Sequence, residues 1–302
     1  QVRYLLFSAV VLSLAFATKE TAYLTVAILS FFLVFYAIGD VVPWVCGKKA
    51  LRRFSPAGDV LVLLVTLTLP ISAAIIGLFQ HNLGLTLTNP DWKIAPVGIP
   101  LGSGLYVAFF TTLAFLGIAA VIGLRWRRRV WLVSFIAFYT IWLLLYTTFF
   151  TNFWGGLGSG IWQGLGYWIA QQEVARGSQP WYYYIVVGLN YEYLPIMFGT
   201  IALIVYSVKG DAFSRFLAYW AVATFATYTF AAEKMPWLMV GVALPFIVLA
   251  GKYVGELLER VIWTPVVDDP DEECPFPQVD HQFKWQVAAL NPSVFLSSIS
   301  IF

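Results

Sequence analysis

Eight stretches of the chain are nearly free of charged side chains: residues 4 to 17, 21 to 43, 59 to 79, 103 to 124, 130 to 150, 181 to 207, 215 to 232 and 236 to 250. Most approach the ~20 residues that an α-helix, rising ~1.5 Å per residue, needs to cross ~30 Å of hydrocarbon. The pattern predicts an all-α polytopic membrane protein of about eight transmembrane helices. The first stretch is short for a span, yet residues 4 to 38 as one helix would overshoot the bilayer, so two spans meeting at a tight Thr18-Lys19-Glu20 turn are expected. A signal peptide is not expected, because no small-residue cleavage site follows and apolar character resumes at once. The chain opens on Gln1, as a processed chain or the later part of a longer one would.

The polar intervals are lopsided. Residues 80 to 102, with Pro90, Pro96 and Pro100, predict irregular backbone. In 151 to 180, Ile161, Leu165, Trp168 and Ile169 share one helical face whereas Gln163, Gln171, Gln172 and Glu173 are polar, which predicts an external amphipathic helix on the outer membrane surface ending near Gly177. Trp181-Tyr182-Tyr183-Tyr184 follows as an aromatic cluster of the kind found in interfacial belts. The bundle is expected over 1 to 252. Residues 253 to 302, with Asp268, Asp269, Asp271, Glu272 and Glu273 among several prolines, predict a mostly irregular cytoplasmic tail. No internal repeat and no soluble second domain are evident.

Composition agrees with the pattern: 60% of residues are hydrophobic and 11% charged, against ~25% charged in soluble domains. The eighteen basic residues then set orientation. With spans alternating, fourteen fall on one side, at Arg3, Lys48 to Arg53, Arg125 to Arg129, Lys209, Arg215, Lys252, Arg260 and Lys284. The positive-inside rule makes that side cytoplasmic, with both termini on it, in a multi-pass cytoplasmic (inner) membrane. The basic run at 125 to 129 is a topology determinant whose partners are anionic lipid headgroups, not nucleic acid. Cys46 and Cys274 fall on the reducing side without metal-ligand spacing, so no disulfide is expected. No cofactor is predicted; a divalent metal remains possible, although no ligand cluster stands out.

Four basic residues remain on the sparse side, Lys19, Lys93, Arg176 and Lys234, each close to an acid: Glu20, Asp91, Glu173 and Glu233. Glu233-Lys234-Met235-Pro236-Trp237 joins two apolar runs. Either its charges snorkel to water, or Lys234 neutralises an anionic substrate group while Glu233 orients it or takes a proton. The Lys19-Glu20 turn admits the same two readings, a simple hairpin or a cation held at headgroup depth. Glu192 lies about eleven residues into the 181 to 207 run, where an acid must face the bundle or water unless the span starts later. Asp40 is expected to cap or pair locally. His81 and His281 are isolated, and no phosphate-binding loop, dinucleotide fingerprint or catalytic triad occurs. A carrier remains compatible with a polytopic bundle holding an intramembrane acid.

Taken in order, Ala17-Thr18-Lys19-Glu20-Thr21-Ala22, Glu173-Val174-Ala175-Arg176-Gly177 leading into Pro180-Trp181-Tyr182-Tyr183-Tyr184, Tyr191-Glu192, and Glu233 to Trp237 resemble the membrane-embedded GT-C glycosyltransferases. The likeness runs from about residue 4 to 252 and is nearest to the protein-mannosyltransferase-like branch, often labelled flippase-activity-associated membrane proteins. The resemblance implies transfer of a sugar from a polyprenyl-phosphate donor to an acceptor on the extracytoplasmic face. It implies catalytic roles for Glu20 and Glu233, and substrate contacts from Lys19, Lys234, Glu173, Arg176, Tyr182, Glu192 and Trp237. One departure matters: GT-C enzymes carry their principal acid in a loop after the first span, and the short turn here offers only Glu20. The chain would then be the later part of a longer enzyme, or a non-catalytic subunit of a larger membrane complex.

Overall fold

A computed structural model describes residues 2–174, 179–231 and 234–262, and all regular structure among them is helical. The helices are α1 (Val2–Thr18), α2 (Ala22–Tyr36), α3 (Ile38–Val45), α4 (Pro56–Thr68), α5 (Gln80–Leu83), α6 (Gly104–Tyr146), α7 (Phe153–Gly158), α8 (Gly164–Val174), α9 (Tyr183–Tyr191), α10 (Tyr193–Lys209), α11 (Ala212–Phe230) and α12 (Met239–Ile262). A 3-10 segment, Pro70–Phe79, joins α4 to α5, and a π-helical turn, Ser159–Gln163, joins α7 to α8. α12 carries the chain past position 252 to Ile262; the acidic and proline-rich residues assigned to a tail lie outside the described residues.

Among the described residues, two helices are long and apolar enough to cross a membrane, Gly104–Tyr146 and Pro236–Glu259, or up to five if each of three bent pairs is one span. Exposed Phe7, Phe31, Phe35, Phe110, Val208 and Val240 form the apolar exterior that lipid requires. The protein is therefore membrane-embedded and helical, but several apolar runs are not the straight rods that hydropathy suggests. α2 and α3 meet at 80°, α4 and the Pro70–Leu83 segment at 73°, and α9 and α10 at 112°. Proline accounts for two of these corners. Pro70 and Pro195 each lack the amide that would bond the carbonyl four residues earlier, and each ring collides with that carbonyl. The 181 to 207 run is thus corrected to two helices, with Glu192 (φ −128°, ψ 36°) at the corner.

As one rod, the 43 residues of α6 would measure ~65 Å, about twice the hydrocarbon thickness. The helix breaks at Arg127 (φ −140°, ψ 84°), inside the basic run that separates two apolar stretches. A straight helix would hold Gly123 and Trp131 ~12 Å apart. Instead the Trp131 indole lies where a Cβ on Gly123 would sit, so only glycine fits there. Past Tyr146 the chain turns through Thr148, Phe149 and Phe150, all with positive φ, an uncommon conformation for residues with a Cβ. The Thr147 hydroxyl accepts the Phe150 amide at 3.1 Å and holds the turn.

The chain divides into two compact units. The first comprises Gln1–Tyr184 and Val222–Leu238. Its main core packs Leu5, Ala9, Leu12 and Phe16 of α1 with Leu63, Leu67 and Ile71 and with Trp131, Phe138 and Trp142 of α6. Lipid is as apolar as leucine, so packing and interhelical hydrogen bonds must supply the association energy, at ~0.6 kcal/mol for an average bond. Ser13 donates to the Phe138 carbonyl at 2.8 Å, Tyr139 to Leu67 at 2.9 Å, Tyr146 to Phe16 at 2.8 Å, and the Trp131 indole to the Thr66 hydroxyl at 3.0 Å. Two buried carboxylates complete this unit. Asp40 takes the Lys49 ammonium and both the hydroxyl and the amide of Ser55, and Asp59 takes the Trp126 indole N–H and the Arg127 guanidinium.

The second unit comprises Ile185–Ala221 and the described part of Met239–Phe302. α10 packs on α12 where Gly199 meets Phe246; a Cβ at Gly199 would lie 2.9 Å from that ring and 3.0 Å from its carbonyl oxygen. Tyr206 donates to Glu256 at 2.7 Å, and Lys252 pairs with Glu256 while its ammonium lies 4.9 Å from the Tyr206 ring centroid.

Candidate functional site

The tight turn expected between the first two apolar runs is present. α1 ends at Thr18, whose hydroxyl bonds back to the Leu14 carbonyl at 2.7 Å, and the amides of Ala22 and Tyr23 bond the carbonyls of Lys19 and Glu20 at 3.1 Å each. Lys19 and Glu20 are exposed at its tip. One turn on, Tyr23 points inward. Its hydroxyl donates to the Ile71 carbonyl at 3.1 Å and its ring meets Phe16 edge-on at 4.7 Å. Glu20 is close enough to act electrostatically on the Tyr23 and Tyr146 hydroxyls. The Tyr23 ring and hydroxyl also lie 3.5 Å from where a Cβ on Gly164 would be, which puts the turn against the start of α8.

α8 and the loop before α6 form one structured layer. Buried Gln80 accepts the amides of Leu87 and Thr88 at 3.1 and 2.9 Å, and Asn89 donates to the carbonyls of Asp91 and Ala95 at 2.9 Å each. The Trp162 indole donates to the Leu87 carbonyl and Gln163 to the Val97 carbonyl, both at 2.9 Å. These side chains order a segment with no regular structure by satisfying its backbone polar groups. Gly98 (φ 86°) and Gly166 bring two backbones into direct contact, and a Cβ on Gly166 would overlap the Gly98 carbonyl oxygen.

This layer corrects the expected amphipathic helix. Gln171, assigned to the water-facing side, is 1% exposed, and Ile169 and Ala170 beside it are buried too. Its Oε1 has no hydrogen-bond partner among the described residues. The indole and amide bonds to the loop hold the start of α8 against the protein, so Gln171 faces inward while Gln172 stays exposed.

From α8 the contacts continue. Trp168 meets Tyr228 at the end of α11 (centroids 6.3 Å apart), Tyr228 meets Tyr184 (6.2 Å), and the Tyr184 hydroxyl reaches the Met235 carbonyl at 3.4 Å. Lys234, next to Met235, is buried, 9% exposed, in non-helical backbone between α11 and the Pro236–Leu238 turn. Its ammonium donates to the Ala231 carbonyl at 2.9 Å and meets no carboxylate among the described residues.

The structure thus links the Lys19-Glu20 turn to Lys234 through Tyr23, Gly164, Trp168, Tyr228 and Tyr184, all within one compact unit. Tyr182 and Trp237 flank this path and are exposed. Glu192 belongs to the other unit. Glu173 lies in the last turn of α8, but its side chain, like Arg176 and Glu233, lies outside the described residues. No group of three metal-ligating side chains occurs among the described residues. Sequence reasoning passed over Tyr23 and Tyr228, although Tyr23 stands one helical turn from Glu20; aromatics at such spacing are indistinguishable from core or belt residues. No protein family, characterised protein or solved structure matches the chain.

Proposed function

We propose that the chain is a GT-C-type membrane glycosyltransferase, or its membrane portion, that transfers a sugar from a polyprenyl-phosphate donor to an acceptor on the extracytoplasmic face. The eight apolar runs are its spans, the arginine-rich face is cytoplasmic, and Lys19 and Lys234 serve the opposite face. What supports the reading is the buried ammonium of Lys234 at a break between helices, with no carboxylate partner among the described residues, linked through the aromatic contacts and α8 to the Lys19-Glu20 turn.

The chemistry follows from that arrangement. An acceptor hydroxyl attacks the anomeric carbon and the polyprenyl phosphate departs with the bonding pair. Lys19 and Lys234 offset the charge that grows on the leaving phosphate, and Glu20 or Glu233 takes the hydroxyl proton. Tyr182 and Trp237, exposed beside this path, meet the substrate, and the resemblance adds Glu173, Arg176 and Glu192 as further substrate contacts. The test is transfer from a polyprenyl-phosphate hexose by the protein in lipid nanodiscs. Lys19→Ala and Lys234→Ala are each expected to abolish transfer, with Lys234→Met as the fold-preserving control for a buried position. Unchanged transfer in both variants would remove them from the site.

A second reading, a non-catalytic subunit of a larger membrane complex, is favoured by the three-residue turn between α1 and α2, whose single acid is Glu20. It predicts binding of polyprenyl phosphate without turnover under any donor.

A further inference from the structure

The opposite, arginine-rich end of the first compact unit contains a cavity of 370 Å³ lined by Trp44, Lys49, Leu51, Arg52 and Arg125, with Gly47 and Ala50 closing its wall. The chain makes this wall by reversing after α3. The Pro43 carbonyl accepts the amides of Lys48 and Lys49 at 2.7 and 3.1 Å, and Gly47 takes φ 71°, the left-handed conformation in which glycine carries no Cβ penalty. A 3-10 turn, Leu51–Arg53, then returns toward α4.

The cations here fall into two groups. Lys49 is committed to buried Asp40 and Arg127 to buried Asp59. Arg52 and Arg125 meet no carboxylate among the described residues, and both face the cavity. Among the described residues the lining therefore holds three cations and no acid, and Asp40, the partner of Lys49, is already spent on it. Two guanidiniums left over around a concave space suit a phosphate group, which each can engage through paired N–H donors. The volume lies within the range of small-ligand pockets and exceeds what a bare phosphate needs.

The surroundings select the source of that phosphate. Val42 and Val45 of α3 and Leu124 of α6 are exposed beside the cavity residues, 51%, 70% and 39% respectively, and Trp44 stands at the rim with an indole suited to the headgroup boundary. Acyl chains can lie along those apolar side chains while the headgroup enters among the cations, as basic pockets between membrane helices allow. We propose that this cavity binds the phosphodiester headgroup of an anionic membrane lipid.

The test is native mass spectrometry of the full chain released from detergent containing phosphatidylglycerol or phosphatidylcholine, scoring lipid retained per protein. Wild-type protein is expected to retain phosphatidylglycerol over phosphatidylcholine, and Arg52→Gln with Arg125→Gln to reduce that retention about tenfold or more. The exposed pair Arg3→Gln with Lys93→Gln, outside both the cavity and the 125 to 129 run, removes the same charge and is expected to leave it unchanged. Equal loss in both double variants, or none in the first, overturns the proposal. A soluble arm adds glycerol phosphate: failure to displace the lipid supports the assignment, and displacement at matched concentration shows a site for soluble phosphate and overturns it. Should the glutamine pair not fold, Arg52→Lys with Arg125→Lys keeps the charge and removes the forked donors. It is expected to lose about threefold, and wild-type retention in that variant overturns the proposal.

Discussion

Replacing Asp59 with alanine tests the packing around the break in α6. Asp59 is 3% exposed and serves two partners at once: the indole N–H of Trp126, fully buried, at 2.8 Å and the Arg127 guanidinium at 2.7 Å. The substitution leaves the indole N–H buried without an acceptor, which costs about 1–3 kcal/mol. It also leaves Arg127 without its counter-ion. Orphaning one member of a fully buried pair costs about 3–5 kcal/mol, but the Arg127 side chain is 29% exposed and can turn to water or headgroups, so solvent screening reduces its share to about 1 kcal/mol. The expected total is about 2–4 kcal/mol, read as a shift in the unfolding transition in mixed detergent micelles. Asp59→Asn retains an oxygen for the indole and should lose only about 1 kcal/mol. Replacing all three partners together, Asp59→Leu, Trp126→Phe and Arg127→Met, removes every orphan and should fall within about 1 kcal/mol of wild type. The three side chains touch, so their effects should be non-additive. An Asp59→Ala variant as stable as wild type, or a triple variant as unstable as the single, would refute the reasoning.

Gly166→Ala would force a Cβ into the Gly98 carbonyl oxygen, which is backbone and cannot swing aside. It should destabilise the layer by about 1–3 kcal/mol and expose residues 84 to 103 to limited proteolysis at protease levels that leave wild type intact. Asp211 accepts hydrogen bonds from the Ser214 hydroxyl and from its amide, the latter at 2.9 Å, and these hold its carboxyl below the usual carboxylate range. A lowered folded-state value means that the bond stabilises the start of α11 above the unfolded-state value near pH 4 and is lost as pH falls through the folded-state value. Helicity near α11, followed by hydrogen exchange, should therefore weaken at acid pH in wild type and show less pH dependence in Asp211→Asn.

Which parts of this were legible in the sequence follows from what hydropathy measures. It registers how apolar a stretch is, so the eight runs coincide with helices, and a charge block interrupting one, as at 125 to 129, marks the break at Arg127. The Lys19-Glu20 turn was legible for the same reason: two charges between apolar runs leave no room for a loop. Hydropathy carries no direction, however, and the corners at Ala37, Pro70 and Glu192 change how many straight spans the runs provide. Pro70 and Pro195 were the available signals for two of them. Gln171 was assigned to water because it is an amide among amides. Its burial depends on Trp162 and Gln163 fastening the preceding turn to loop backbone some seventy residues away in sequence. The same holds at Asp59, whose partners are 67 residues away or more.

The proposed site stands or falls on whether the α1–α2 turn and the segment at Lys234 share one face of the membrane. Electron-electron resonance between nitroxides on Lys19→Cys and Trp237→Cys measures this, with Cys46 and Cys274 replaced by serine and the protein in nanodiscs. Both label positions are exposed. The account predicts a single population well below the ~30 Å hydrocarbon thickness. A distance at or beyond that thickness would place the two lysines too far apart to hold one donor phosphate, and would contradict it.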